Sequence, residues 1–181
     1  MEAALEPIHR LTVEDVFQML DAGVLSGDDR LELIDGILLD VAPAGEPHSN
    51  AVAWLTEHFA RVAGPAWQVR VQDTLFVPRG FRSPDLMLVA RERGRERLTS
   101  ALLAVEVSRT TRVRDEAKAV DYAQAGVPEY WRVDLEATEV VVRRAPEDDS
   151  YRELRRVGRG ETITPLADAP PMHLAELLDA I

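Results

Sequence analysis

Apolar positions along the chain change period several times, and each change marks an element. Thr12, followed by the acids Glu14 and Asp15 and then Val16, Phe17 and Leu20, predicts a short capped helix. Leu31–Ile34, Asp35-Gly36 and Ile37–Leu39 predict a β-hairpin, because Asp-Gly readily takes the positive φ of a tight turn. Beyond a turn-rich stretch from Pro43 to Pro47, His48–Val62 places Val52, Leu55, Phe59 and Val62 on one face of a helix. Trp67, Val69 and Val71 alternate with polar residues, the pattern of a half-buried strand that can continue to Val77. Two near-continuous apolar runs, Asp85–Ala90 and Ala101–Val107, read as central strands covered on both faces. A helix over Thr110–Ala125, stopped by Gly126, follows them. Strands over Glu129–Asp134, Thr138–Arg144 and Tyr151–Val157 and a terminal helix over His173–Ile181 complete the pattern. The expected architecture is a single α/β (α+β) domain over residues 1–181, with a mixed central sheet flanked by helices and an N-terminal helix and hairpin.

Composition narrows the chemistry. The 181 residues include no cysteine, which excludes a disulfide scaffold, cysteine zinc sites and a thiol nucleophile. Met1–Pro7 is not a signal peptide and no run reaches the ~20 apolar residues of a membrane helix, so a cytoplasmic protein without membrane contact is expected. A net charge of −11 repels nucleic acid at long range, so any such partner requires a local basic surface. Of the 21 basic residues, Lys118 alone is lysine.

Two carboxylates interrupt the most apolar strands. Asp85 opens one and Glu106 nearly closes the next. An antiparallel hairpin that pairs them has its turn centre between Gly94 and Arg95, inside the polar loop, and sets the two side by side with Cβ atoms about 5 Å apart. Like charges there are costly unless a cation bridges them, and oxygen ligands suit Mg²⁺ or Mn²⁺. Lys118 lies about two turns into the following helix, within reach of that point. Its carboxylate neighbours hold its pKa high, which favours an electrostatic role over a general-base one.

These residues resemble the PD-(D/E)XK nuclease superfamily: Ser83-Pro84-Asp85 matches its Pro-Asp half and Glu106-Val107-Ser108 its acid-x-Lys half, with Ser in place of Lys. The wider match is to its Uma-two branch, in which the lysine sits on the following helix. It runs through Leu31–Gly36, His48, Ser83–Asp85, Val105–Ser108, Asp115, Lys118, Tyr122 and Ala125–Trp131, and covers roughly residues 11 to 145. The resemblance implies a restriction-endonuclease-like core with a four-stranded mixed sheet, and Mg²⁺- or Mn²⁺-assisted phosphodiester hydrolysis. It assigns Asp85, Glu106 and the Val107 carbonyl to the metal, Glu32 as a further acid near it, and Lys118 as the helix-borne lysine.

Arg79, Arg82, Arg109, Arg112 and Arg114 flank the proposed site end and are expected to contact phosphates, with His48 either joining them or merely beginning its helix. The Arg91–Arg97 run, half neutralised by Glu92 and Glu96, lies roughly 20 Å away at the other hairpin end. Tyr122, Tyr130 and Trp131 are expected in the core. The partner expected is nucleic acid, DNA ahead of RNA, cut by a homodimer if both strands are cleaved. Two other functions stay open: a catalytically silent interaction or nucleic-acid-binding module, favoured by Ser108 and the acidic charge, and a hydrolase of small phosphorylated molecules.

Overall fold

The computed structural model describes residues 8–41, 45–91, 97–108 and 112–181, of which 112–115 are described through their backbone alone. Helix α1 (Val13–Asp21) starts at a capping box: Thr12 Oγ1 accepts the Asp15 N–H while Asp15 accepts the Thr12 N–H. Strands β1 (Leu31–Ile34) and β2 (Ile37–Asp40) join through Asp35 and Gly36, both at positive φ (50° and 73°), as the primed hairpin turn requires. Helix α2 (Glu46–Val62) begins two residues before His48, because Pro47 fits the first helical turn. Of the turn-rich stretch before it, residues 42–44 lie outside the described residues.

Strand β3 (Trp67–Val71) does not continue to Val77. Gln72, at φ 50°, breaks it, and β4 (Leu75–Val77) joins β5 (Gly80–Arg82) in a different sheet. Strands β6 (Leu86–Ala90) and β7 (Leu103–Ser108) form the antiparallel pair expected, with Leu86 opposite Val105, Met87 opposite Ala104 and Leu88 opposite Leu103. One step further along that register brings Asp85 opposite Glu106. Residues 92–96 of the intervening loop, Arg93 and Arg95 included, are outside the described residues.

Helix α3 (Arg112–Gln124) then crosses to β8 (Glu129–Asp134), which runs parallel to β7, the one parallel pairing in the sheet. Gly126, at φ 70°, ends the helix. Strands β9 (Glu139–Glu147) and β10 (Ser150–Gly158) form a long hairpin. A short pair, β11 (Thr162–Ile163) and β12 (Met172–His173), leads into α4 (Leu174–Asp179).

The larger sheet therefore has six strands in the order β10-β9-β8-β7-β6-β3, and the smaller four, β2-β1-β5-β4. This corrects the four-stranded sheet that the resemblance implied: the central sheet has two more strands, and the three-residue strands β4 and β5, too short to show a period, complete a second one. Helix α2 packs Ala51, Leu55 and Phe59 on one face of the six-stranded sheet, against Leu88, Val105 and Trp131. Ala119 and Tyr122 of α3 pack on the other, with Met87, Ala104 and Tyr130. The alternation of β7 thus turns Val105 and Val107 toward α2 and Glu106 toward α3.

Candidate active site

Four elements bring charge to the end of the β6–β7 pair. Glu106 of β7 is buried among α3 side chains: Lys118 Nζ donates to Oε2 at 2.9 Å and Tyr122 Oη donates to Oε1 at 2.5 Å. Lys118 is only 7% exposed and reaches back to Glu32 of β1, with Nζ to Oε1 at 3.3 Å. Glu32 is held in turn by Arg82 Nη1 at 2.7 Å and by the Ser83 N–H at 3.2 Å. The rest of the Arg82 guanidinium donates to Asp121 Oδ2 through Nε at 2.8 Å and Nη2 at 2.6 Å. Asp85 lies on the α2 side of this lattice. Its Oδ2 accepts the Val107 N–H at 2.9 Å and lies 2.9 Å from His48 Nε2.

The electrostatics follow from burial and charge count. Glu32, Asp85, Glu106 and Asp121 are all buried, against two buried permanent cations, Arg82 and Lys118. Burial drives the Glu106 carboxyl up to about 7; Lys118 opposes the rise, and Asp85 and Glu32 reinforce it. Burial alone would lower the Lys118 ammonium, but Glu106 and then Glu32 outweigh it and push its pKa above the ordinary range, the direction expected from sequence. Burial likewise pushes Glu32 up, yet Lys118 and Arg82 prevail and hold it below the usual carboxylate range. The Tyr122 hydroxyl, buried and facing Glu106, is pushed well up and remains a donor.

The profile of the Uma2 family, described as "Putative restriction endonuclease", matches residues 13–175. The chain belongs to the Uma2 family. Among solved structures, the Uma2 chain is similar to a crystal structure of a putative nuclease belonging to DUF820 from Anabaena variabilis. The TM-score is 0.80 at 12% identity, over 94% of this chain and 98% of that one, a likeness of fold. The type IIG restriction endonuclease BpuSI matches with a TM-score of 0.47 at 14% identity, over 77% of this chain and 17% of that one. No curated protein matches the Uma2 chain. The fold, a mixed sheet flanked by helices and shared with the DUF820 structure, is the one expected.

The structure brings Asp85, Glu106, Lys118, Glu32 and His48 to one end of the sheet, in two settings: Asp85 with His48 and the Val107 N–H, and Glu106 with Lys118 and Tyr122. Arg82 needs correction. Placed by sequence on a phosphate-contacting surface, it is buried, and its guanidinium is committed to Glu32 and Asp121. Its neighbour Arg79 is a third exposed and pairs with Asp35 and Asp121. Arg109 lies outside the described residues, and Arg112 and Arg114 are placed by their backbone in the first turn of α3. Arg97, in the run set aside as solvated, donates to Glu14 at 3.1 Å and lies over the rings of Phe17 and Phe76.

Two site residues escaped the sequence reading. Asp121 anchors Arg82, and the Tyr122 hydroxyl caps Glu106, although its ring is buried in the core as expected, like Tyr130 and Trp131. Their spacing from Lys118, i+3 and i+4 on one helix, was the signal that could have found them.

Proposed function

We propose that the protein is a divalent-cation-dependent endonuclease acting on nucleic acid, DNA ahead of RNA. The observation that carries this is the meeting of Glu106 with the buried Lys118 ammonium 2.9 Å away, at the sheet end where Asp85 immediately precedes β6. The donor chemistry fits Mg²⁺ or Mn²⁺. Asp85, Glu106 and the Val107 carbonyl are hard oxygen donors, and Mg²⁺ is commonly held by one or two carboxylates with water completing its shell. Once Glu106 ionises, four buried carboxylates face the two buried cations Arg82 and Lys118, with Arg79 also on Asp121. Among the described residues no three acidic or histidine groups are placed to hold one metal ion together.

When bound, such a cation polarises a phosphoryl oxygen and favours ionisation of a water. The chain's own residues supply the rest. Lys118 keeps its proton and acts as a fixed positive charge beside the negative charge that builds on phosphorus, not as a base. Tyr122 fixes the orientation of Glu106, and His48 with the Val107 N–H fixes Asp85. Glu32, itself clamped by Arg82, holds Lys118 from behind. Arg109, in the segment between β7 and α3, and Arg112 and Arg114 at the start of α3 are the side chains assigned to backbone phosphates. Cleavage of both strands of a duplex brings two copies together about a two-fold axis, as a homodimer.

Incubation of supercoiled DNA with the protein and Mg²⁺ or Mn²⁺ tests the proposal. Wild type is expected to nick it, and Asp85→Asn or Glu106→Gln to lower the rate by roughly 10²-fold or more. Lys118→Arg keeps the charge but places a planar fork where a point charge sat. An ångström-scale displacement of that kind costs roughly 10²-fold, and full activity in this variant would remove Lys118 from the mechanism. One observation favours a silent module instead: both Glu106 oxygens already have donors inside the protein. Nucleic acid bound but never cut with either cation would establish that reading, and cleavage of small phosphodiesters alone would point to the hydrolase.

A further inference from the structure

Beside the site, a cleft of about 300 Å³ opens between α1, the 26–30 loop and the smaller sheet. Val16 and Leu20 of α1 and Leu31 and Phe81 of the sheet give it an apolar lining. Ser83 also lines it: its N–H donates to Glu32, and it precedes Asp85 by two residues, about 7 Å of extended chain. Gln72 also lines it, held at positive φ with its N–H donating to the Asp85 carbonyl at 3.3 Å. We propose that this cleft is a nucleobase pocket, which takes one unstacked base of the strand whose phosphate lies at Asp85 and Glu106. The proposal rests on the nuclease reading of the adjoining site and narrows its substrate to a strand with at least one base turned out of the stack.

Three features specify a base over the other parts of a nucleic acid. The rim carries two carboxylates, Asp28 and Asp29, against one guanidinium, Arg30, a balance that repels phosphate and accepts hydrogen bonds from exocyclic amino groups. That rim is held in shape, because Asp29 Oδ2 accepts the Ser26 N–H at 2.8 Å and Ser26 Oγ accepts the Asp28 N–H at 3.2 Å. An aromatic wall is available too. Phe17 lines the cleft at 37% exposure, and its ring is braced by Phe76, stacked at 6.2 Å, and by the Arg97 guanidinium at 4.8 Å. With Arg97 over one face of that ring, a base meets Phe17 at its edge or on what remains exposed. The volume sits at the low end of ligand pockets, enough for a base and not for a duplex.

Isothermal titration of the full chain in EDTA, with the four deoxynucleosides and with deoxyribose 5-phosphate, tests this without any cleavage. Saturable binding of the amino-bearing nucleosides is expected, weaker binding of thymidine, and none of the sugar phosphate. Leu20→Trp, which fills the cleft, should weaken nucleoside binding at least tenfold. Phe17→Ala, at an exposed position that tolerates truncation, should weaken it several-fold, and Phe17→Trp should preserve it. No nucleoside binding up to about 10 mM, or equal affinity in wild type and in both the Leu20→Trp and Phe17→Ala variants, would overturn the pocket even in an active nuclease. Nucleosides bound by a protein that cuts no DNA would instead overturn the nuclease reading and leave the pocket standing.

Discussion

Replacing Glu106 by Gln should make the cation-free protein more stable at alkaline pH, although it removes an ion-pair partner of Lys118. Glu106 is buried, and its carboxyl is raised from 4.5 to about 7, chiefly by burial. Between those two values the folded state binds a proton that the unfolded state has released, so stability falls as pH rises through the window. The displacement corresponds to roughly 3 kcal/mol, fully present below pH 4.5 and lost above about pH 7. Gln keeps the shape and cannot titrate, and Lys118 retains Glu32 at 3.3 Å. The stability difference between variant and wild type should therefore shift by about 3 kcal/mol in favour of Gln from pH 4.5 to pH 8. Urea unfolding in EDTA reads this as a relative midpoint change of about 1–3 M. Adding Mg²⁺ at pH 8 should stabilise wild type and leave the variant nearly unmoved. A variant-to-wild-type difference that stays flat from pH 4.5 to 8 would refute the reasoning, because it would mean that the Glu106 charge is fully compensated by Lys118 and Tyr122.

The rest of the lattice is open to similar tests. Arg82→Met strands Glu32 and Asp121 without their shared cation and should cost about 3–5 kcal/mol by urea unfolding at neutral pH. Tyr122→Phe removes the donor on Glu106 Oε1 and should cost about 1.5–3 kcal/mol at pH 8, where Glu106 is ionised, and less at pH 5. In Gly80→Ala the added Cβ would lie 1.9 Å from the Leu33 carbonyl oxygen at φ 145°, so β1 and β5 must separate. A loss of at least about 2 kcal/mol is expected by thermal unfolding.

Features set by local pattern were legible before the structure. The β6–β7 register agrees with the one assumed from pairing the two strand-end acids, Asp35-Gly36 made its turn, and Glu129–Asp134 occupied the strand expected of it. Lys118 reached Glu106 because α3 begins a few residues after β7. What the pattern hid was partnership across long sequence separations. Arg82 meets Glu32 fifty residues away and Asp121 thirty-nine away, and no periodicity distinguishes a buried arginine from one on the surface. Gln72 also reads as one more polar residue in an alternating strand until its left-handed backbone sends the chain into a second sheet. Glu129, buried under Arg144, Trp131 and the Leu166 N–H, was hidden for the same reason, since two of its partners come from β9 and from the segment beyond β11.

The double attachment of Lys118, to an acid on the strand before its helix and to one on the first hairpin, has an evolutionary corollary. Moving the ammonium to position 108 would leave Glu32 facing an empty place, and discarding Glu32 would leave Arg82 with Asp121 alone. A lineage cannot exchange these charges one at a time without passing through a less stable ancestor. Lys118 is thereby tied to the first hairpin as well as to its neighbouring strand.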